Sequence, residues 1–289
     1  MSEIVCRLRR ALALACAALL TLSCSQAQAW TAASDWVVGT NTRARLLAAS
    51  DIKGGEPGSI LAGVQIELSP EWKTYWRSPG DSGGIPPELQ WDKSENLKSA
   101  TVEFPAPHRI PDALGDSVGY KEAVTLPVEV SPAEPGKPVK LQLDLLYGVC
   151  KNICIPAEMT LGLELSLGGS DEASIRELLE AAEARVPRDR GDASSPQVVA
   201  VSLEPQASPS ALVVDARFPP EAKDVDLFVE AVDGSYLPLP DKASADGSGL
   251  ARFRIDLTKA DAVKSWAGKQ LRLTLVSDTA LAEVQRQLP

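Results

Sequence analysis

The chain has 289 residues, of which 44% are hydrophobic and 24% charged, and its formal net charge is −10. This length and composition are typical of about two globular domains. The negative charge argues against a nucleic-acid surface, and the 22 prolines and 20 glycines favour short strands and turns over long helices.

The N-terminus has the pattern of an export signal. Three arginines precede an apolar segment, residues 11–22, and Ala27-Gln28-Ala29 has the small-x-small pattern of a cleavage site. We therefore predict a signal peptide over residues 1–29, cleaved after Ala29. Lipidation at Cys24 is an alternative, but Thr21 stands where a lipoprotein signal usually has leucine, so we favour cleavage.

Cleavage of the predicted signal determines which cysteines the exported protein contains. Of the five cysteines, Cys6, Cys16 and Cys24 lie within the predicted signal, so the exported protein keeps Cys150 and Cys154. Two cysteines this close together in an exported protein are normally able to form a disulfide.

Residues 30–168 have the pattern of one β-sandwich. Short β-favouring segments are separated by clusters of proline and glycine, and residues 139–145 and 159–167 alternate strictly between apolar and polar. This spacing is typical of an immunoglobulin-like sandwich. The predicted strands are residues 43–49, 60–68, 89–92, 100–104, 123–130, 139–145 and 159–167.

A short helix and a linker are predicted over residues 169–195. Apolar residues recur at helical spacing after Ser170, which can cap the helix, and Pro187 ends it. Residues 196–289 are again rich in β-favouring segments and predict a second, smaller sandwich. The fold class is therefore mainly β: two immunoglobulin-like β-sandwich domains joined by a short helix and linker. The strands predicted in the second sandwich are residues 198–203, 211–218, 225–231, 250–257 and 271–277.

The spacing of Cys150 and Cys154 requires a turn between them if they pair. Four residues of extended strand span about 13 Å, whereas a disulfide needs Cα atoms about 4.4–6.8 Å apart. We expect Lys151-Asn152-Ile153 to form the turn, so that Cys150 ends one strand and Cys154 begins the next as a facing pair.

The residues alone leave three interpretations of this pair open. A structural disulfide closing so small a loop contributes about 2 kcal/mol in the chain-entropy model, which is little for a disulfide. A redox-active pair is supported equally well, because small tight loops are easily strained and reduced and because Lys151 favours the thiolate. A Cu(I) site is the third interpretation, with Met159 or His108 completing the ligands.

The segment YGVCKNICIPAEMTL, residues 147–161, resembles the redox segment of the N-terminal domain of the DsbD/ScsB thiol:disulfide interchange family. Three other stretches fit the same family: WKTYWRSPG from Trp72, FPAP from Phe104 and GYKEAVTLPV from Gly119. The three residues between the cysteines resemble the ScsB side of the family, because DsbD itself has a longer gap.

The resemblance implies an immunoglobulin-like redox domain in the periplasm, acting as a component of a protein-disulfide reductase. Cys150 and Cys154 would be its catalytic pair, with Cys154 forming the mixed disulfide. The implied partners are a membrane-embedded thiol electron donor and periplasmic thioredoxin-fold proteins, with no organic cofactor and no metal. Because the sequence contains neither a membrane-spanning carrier nor a C-x-x-C thioredoxin domain, we expect the donor to be a separate membrane protein.

The family also has a loop that caps the cysteines. The matching stretch is about residues 109–120, and Tyr120 is the residue we expect to shield the pair.

One motif is similar to part of a different kind of site, that of a serine protease. Gly80-Asp81-Ser82-Gly83-Gly84 is similar to the nucleophile loop of chymotrypsin-like proteases, but His108 follows this serine whereas that family places its histidine before it. We therefore predict a loop between strands. Trp72, Tyr75 and Trp76 nearby are expected to be packing residues, and His108 a residue of a surface loop.

Overall fold

The computed structural model describes residues 32–49, 59–112, 115–165, 173–189, 191–192, 194–207, 210–243, 245–263 and 265–289. The predicted signal peptide with its three cysteines, and the helix cap Ser170, lie outside the described residues. No helix within the described residues is long and apolar enough to cross a membrane.

The first sandwich consists of two antiparallel sheets, as the sequence predicted. Its strands are β1 (Val37–Gly39), β2 (Thr42–Ala49), β3 (Ile60–Leu68), β4 (Lys73–Gly80), β5 (Glu88–Gln90), β6 (Leu97–Val102), β7 (His108–Ile110), β8 (Ser117–Lys121), β9 (Ala123–Pro132), β10 (Val139–Cys150) and β11 (Cys154–Leu165). One sheet has the order β1-β2-β3-β9-β6. The other has the order β11-β10-β4-β8-β7, with β5 also paired to β10.

The hairpin of β10 and β11 is the longest strand pair in this sandwich. The two strands pair residue for residue, from Val139 opposite Leu165 to Cys150 opposite Cys154. The described apolar residues of the alternating pattern, such as Leu141 and Leu143, face the first sheet and are buried. The core between the sheets therefore fixes which face of the hairpin points outward.

The single described α-helix, α1 (Ala173–Ala184), packs on the first sheet, where it contacts β2, β3 and β9. Its buried residues are Ile175, Leu179 and Ala182. Leu179 lies against Gly63, where an added Cβ would come within 2.5 Å of the leucine Cδ2 atom. The helix thus forms part of the first sandwich in addition to connecting it to the second.

The second sandwich is smaller and also has two antiparallel sheets, which confirms the predicted fold class. Its elements are β12 (Gln197–Glu204), β13 (Ala211–Arg217), β14 (Asp226–Ala231), β15 (Leu250–Asp256), a 3₁₀ turn (Leu257–Lys259), β16 (Gln270–Val276) and β17 (Leu281–Gln287). The sheets have the orders β12-β13-β15 and β14-β16-β17. Phe218 and Phe253 pack against each other in the core between them, with tilted rings whose centroids are 6.3 Å apart.

Five strands were not predicted: β1, β4, β7, β8 and β17. Three of them are short, and β4 ends in Pro79-Gly80, which marks a turn in sequence. Trp76 on β4 is 1% exposed and packs against Phe228 of the second sandwich at 5.7 Å between ring centroids. The prediction that this aromatic residue serves packing is therefore consistent with its position.

The pairing of β4 with β8 depends on a glycine. A Cβ added at Gly119 would lie 2.0 Å from the backbone oxygen of Thr74, a contact that no rotamer change can relieve. We expect Gly119→Ala to lower the free energy of unfolding by about 3 kcal/mol, the upper end for overpacking. Gly247→Ala is the control because a Cβ there meets nothing within 4 Å. Urea unfolding of both variants measures the difference, and equal midpoints would contradict the close pairing.

Candidate functional site

Cys150 and Cys154 form a disulfide at the turn end of the β10–β11 hairpin. Their Cα atoms are 4.1 Å apart, close to the separation of about 4.5 Å in a facing, non-hydrogen-bonded pair. Lys151-Asn152-Ile153 forms the turn between them, and the Lys151 amide donates to the Ile153 carbonyl at 3.0 Å. The turn and the facing pair expected from the sequence are both present.

The two sulfur-bearing residues differ in their exposure. Cys150 is 1% exposed, whereas Cys154 is an exposed residue. The difference follows from strand order, because β11 is the edge strand of its sheet and β10 lies between β11 and β4. A thiolate from another molecule therefore approaches Cys154 more readily than Cys150.

The phenol of Tyr75 lies beside the exposed sulfur. Its hydroxyl is 3.2 Å from Cys154 Sγ, and the residue is 3% exposed. The ring crosses β10 above Gly148, where an added Cβ would come within 3.1 Å of Tyr75 Cε2. Burial and the negative charge of Asp112 raise the pKa of Tyr75, and a hydrogen bond with Ser117 opposes them. The hydroxyl is thus protonated near neutral pH and can donate to sulfur.

A buried lysine lies on the other side of this phenol. Lys73 is 6% exposed and is the β4 residue directly opposite Cys150. Its ammonium donates to Asp112 Oδ2 and, at 2.7 Å, to Ser117 Oγ. The Ser117 hydroxyl is in turn 2.6 Å from that of Ser82. These four polar side chains form a layer behind Tyr75 and Cys150, which we call the polar layer.

The loop that resembled a protease motif covers this layer. Gly84 lies on the ring of Tyr75, because a Cβ added there would be 2.3 Å from the ring carbon Cζ. Ser82 belongs to the polar layer. No histidine is part of either contact, so Ser82 serves to connect the loop to β8.

A groove of about 590 Å³ borders the enclosed cysteine. Its walls include Cys150, Lys73, Asp112 and Lys121, and Lys151 lies at its rim. Lys151 forms an ion pair of 2.5 Å with Glu71 and thereby lowers the pKa of that carboxyl group. The groove thus holds three lysines and two carboxylates, and two of the lysines, Lys73 and Lys151, are paired with these carboxylates.

The sequence assigned the shield to Tyr120, whereas the structure places Tyr75 beside the sulfur. Tyr120 lies opposite Thr74 in the β4–β8 pair, so its side chain is on the other face of the sheet from Tyr75. It is 4% exposed, and its hydroxyl donates to the Pro105 carbonyl at 2.7 Å. A shielding role for Tyr120 stays a prediction.

The residues that the copper interpretation needs are not brought together. Met159 is on the core face of β11, where Tyr147 contacts its sulfur at 3.7 Å, and Cys154 is on the outer face. His108 is on β7, three strands away from β10 in the sheet order, which is about 14 Å. No group of three or more potential metal ligands is found among the described residues.

Comparisons with known proteins agree with this geometry. Residues 44–164 match the family described as "Thiol:disulfide interchange protein DsbD, N-terminal". Residues 44–164 are a DsbD N-terminal domain. Both cysteines, Tyr75 and the polar layer lie within this DsbD N-terminal domain.

The second sandwich also has a family match. Residues 185–289 match a domain of unknown function (DUF8393). No curated protein matches the chain. Among solved structures, the N-terminal periplasmic domain of ScsB from Proteus mirabilis is similar, with 22% identity and a TM-score of 0.68. The match covers 89% of this chain and 98% of that domain, so the similarity in fold extends over both sandwiches.

The sequence did not reveal Lys73 and Tyr75 as site residues. The alternation Lys73-Thr74-Tyr75 would have placed both side chains on one face if β4 had been recognised as a strand. The pairing that brings this face to the disulfide joins residues more than 70 positions apart, and no local pattern encodes it.

We expect Tyr75→Phe to raise the pKa of the Cys154 thiol by about one unit. A hydrogen bond donated to a thiolate stabilises the charged form, and its loss costs about 1.4 kcal/mol per pKa unit. The measurement is the pH dependence of alkylation by iodoacetamide, made with Cys150 replaced by serine. Tyr147→Phe is the control, since that hydroxyl contacts Thr42 on the core face. Identical pH profiles for the two variants would contradict the contact.

Proposed function

We propose that this chain is a periplasmic thiol:disulfide exchange protein. It passes electrons through Cys150 and Cys154 from a membrane-embedded thiol donor to periplasmic thioredoxin-fold proteins. The observation that carries the proposal is a disulfide with one accessible and one enclosed sulfur at the end of a hairpin. The DsbD N-terminal family supports the chemistry, and the similar ScsB domain, described as periplasmic, supports the location.

Reduction of the chain begins at Cys154. A donor thiolate attacks Cys154 Sγ, the bond to Cys150 breaks, and Cys150 leaves as a thiolate. A second donor thiol then attacks the mixed disulfide and releases Cys154. The two cysteines gain two electrons, and the donor pair becomes a disulfide.

Delivery to the partner runs the same steps in reverse. The Cys154 thiolate attacks a sulfur of the partner's disulfide and forms a mixed disulfide. Cys150 then attacks Cys154 Sγ, so the partner leaves as a dithiol and the Cys150–Cys154 bond closes again. Because Cys150 is enclosed, it meets Cys154 before it can meet another protein, which favours this closing step.

The neighbouring side chains act on the two sulfurs. Tyr75 donates a hydrogen bond to the Cys154 thiolate and covers one side of the sulfur. Lys73, opposite Cys150, places a positive charge next to the position where that thiolate forms. Asp112 and Ser117 hold the ammonium in place.

A purely structural role explains less of this arrangement. The loop closed by the disulfide spans five residues, for which the chain-entropy model gives about 2 kcal/mol. The hairpin already pairs along its whole length and buries one apolar face. A structural disulfide also needs neither an accessible sulfur nor a polar layer behind it.

Replacing Cys150 with serine tests the function directly. We expect Cys150→Ser to accumulate mixed disulfides with thioredoxin-fold proteins in a periplasmic extract, because no resolving thiol remains. Cys154→Ser is the matched control, in which the remaining thiol is enclosed, and we expect at least tenfold less trapped protein. Non-reducing gels and mass spectrometry identify the adducts. Absence of adducts, or equal trapping by the two variants, would refute the proposed function.

A further inference from the structure

The second sandwich binds β4 of the DsbD N-terminal domain through Arg77. The guanidinium of Arg77 donates to Glu230 at 2.6 and 3.1 Å and to Glu283 at 2.5 Å. It also lies over the ring of Trp76, at 4.1 Å from the centroid. The Arg77 side chain is 19% exposed, so the two carboxylates balance a charge that is mostly removed from water.

A second arginine makes an equivalent contact from β7. Arg109 donates to both carboxylate oxygens of Asp226, at 2.7 and 2.9 Å, and to the Pro240 carbonyl at 3.0 Å. Its side chain is 8% exposed, and Asp116 lies 3.7 Å away on the same domain. Burial alone would lower the pKa of Arg109, but these carboxylates outweigh burial and raise it.

A third contact reaches the loop that follows β4. Asp81 Oδ1 accepts hydrogen bonds from the Tyr236 hydroxyl at 2.9 Å and from the Leu239 amide at 2.8 Å. Charge is thus complementary across the whole contact: carboxylates of the second sandwich meet arginines, and its donors meet a carboxylate.

Each contacted residue is a near neighbour in sequence of a residue at the disulfide. Arg77 is two residues from Tyr75, and Asp81 is adjacent to Ser82. Arg109 lies three residues before Asp112. The second sandwich therefore contacts β4, which carries Lys73 and Tyr75, the loop that carries Ser82, and β7, which Asp112 follows.

We propose that the second sandwich is a positioning domain for the redox site. Through Asp226, Glu230 and Glu283 it fixes β4 and β7, and thereby holds Tyr75 over Cys154 and the polar layer beside Cys150. This role rests on the proposed function for its biological use. It also assigns a role to the region that matches a domain of unknown function, which is to hold Tyr75 against the exposed Cys154 sulfur.

The three carboxylates are suited to this role because they neutralise two mostly buried guanidinium groups, those of Arg77 and Arg109. Removing the partner of a mostly buried guanidinium leaves a charge that must regain water, so the element that carries it moves. The coupling free energy between contacting residues of one network is typically large enough to change a rate constant at least about twofold. Loosening β7 is expected to displace Asp112 and with it the polar layer behind Tyr75, so that the phenol covers less of the Cys154 sulfur.

Reduction by dithiothreitol, measured on the full chain, tests this proposal. One dithiothreitol thiolate attacks Cys154 and expels the Cys150 thiolate. Its second thiol then releases Cys154, so dithiothreitol becomes a cyclic disulfide and the cysteine pair gains two electrons and two protons. Quenching with a maleimide at successive times gives the rate constant without any partner protein.

We expect Asp226→Asn to raise this rate constant at least about twofold. Asp215→Asn is the matched control. Asp215 also binds one arginine, Arg252, through both oxygens, and its side chain is 19% exposed, as is that of Asp226. That pair lies within the second sandwich, away from the contact, so its rate constant should equal that of the wild type.

Hydrogen exchange separates positioning from general loss of stability. Amides of β7, residues 108–110, should exchange faster in Asp226→Asn than in the wild type, while amides of the β2–β3 pair keep the wild-type exchange rate. If Asp226→Asn does not fold, Arg109→Lys, which keeps the charge and one hydrogen bond, takes its place with the same expected results. An unchanged reduction rate, or an equal rise in Asp215→Asn, overturns the proposal. Failure to trap partners with Cys150→Ser would instead refute the proposed function alone.

Discussion

The site depends on the register in which β4 pairs with β10. Lys73 lies opposite Cys150 in this antiparallel pair. Tyr75, two residues after Lys73, crosses Gly148, two residues before Cys150. Any side chain at Gly148 would meet the phenol, so the ring reaches Cys154 only because that position is glycine. A slip of one residue would turn Lys73 and Tyr75 to the core face. One strand pairing thus decides whether the disulfide has a donor and a cation beside it.

The difference between the two sulfurs has the same origin. Cys154 begins an edge strand and is open to solvent, whereas Cys150 ends an interior strand and is closed in by β4. An edge strand is normally a liability in a sheet because it invites unwanted pairing. Here it exposes one sulfur while its partner remains enclosed. The chemistry proposed for the pair, attack at one sulfur and departure of the other, requires this inequality.

The sequence predicts some parts of this arrangement and not others, for physical reasons. Strict alternation in β10 and β11 and the distance limits of a disulfide predicted the hairpin and its turn. The position of Tyr75 beside Cys154 could not be predicted, because it depends on the strand pairing of β4 with β8 and β10. The acidic residues of the second sandwich looked scattered in sequence. Asp226 and Glu230 form ion pairs with arginines more than 100 positions earlier, and no local pattern predicts such pairs.

The reduction potential of the Cys150–Cys154 pair tests the central claim most directly. Equilibration of the intact chain with defined dithiothreitol or glutathione buffers, followed by alkylation of free thiols, gives this potential. Structural disulfides typically lie below about −300 mV, and exchange-active ones lie above that value. We expect a potential above about −300 mV, because the loop is small and one sulfur is accessible. A value well below it would mean that the bond serves only to hold the hairpin.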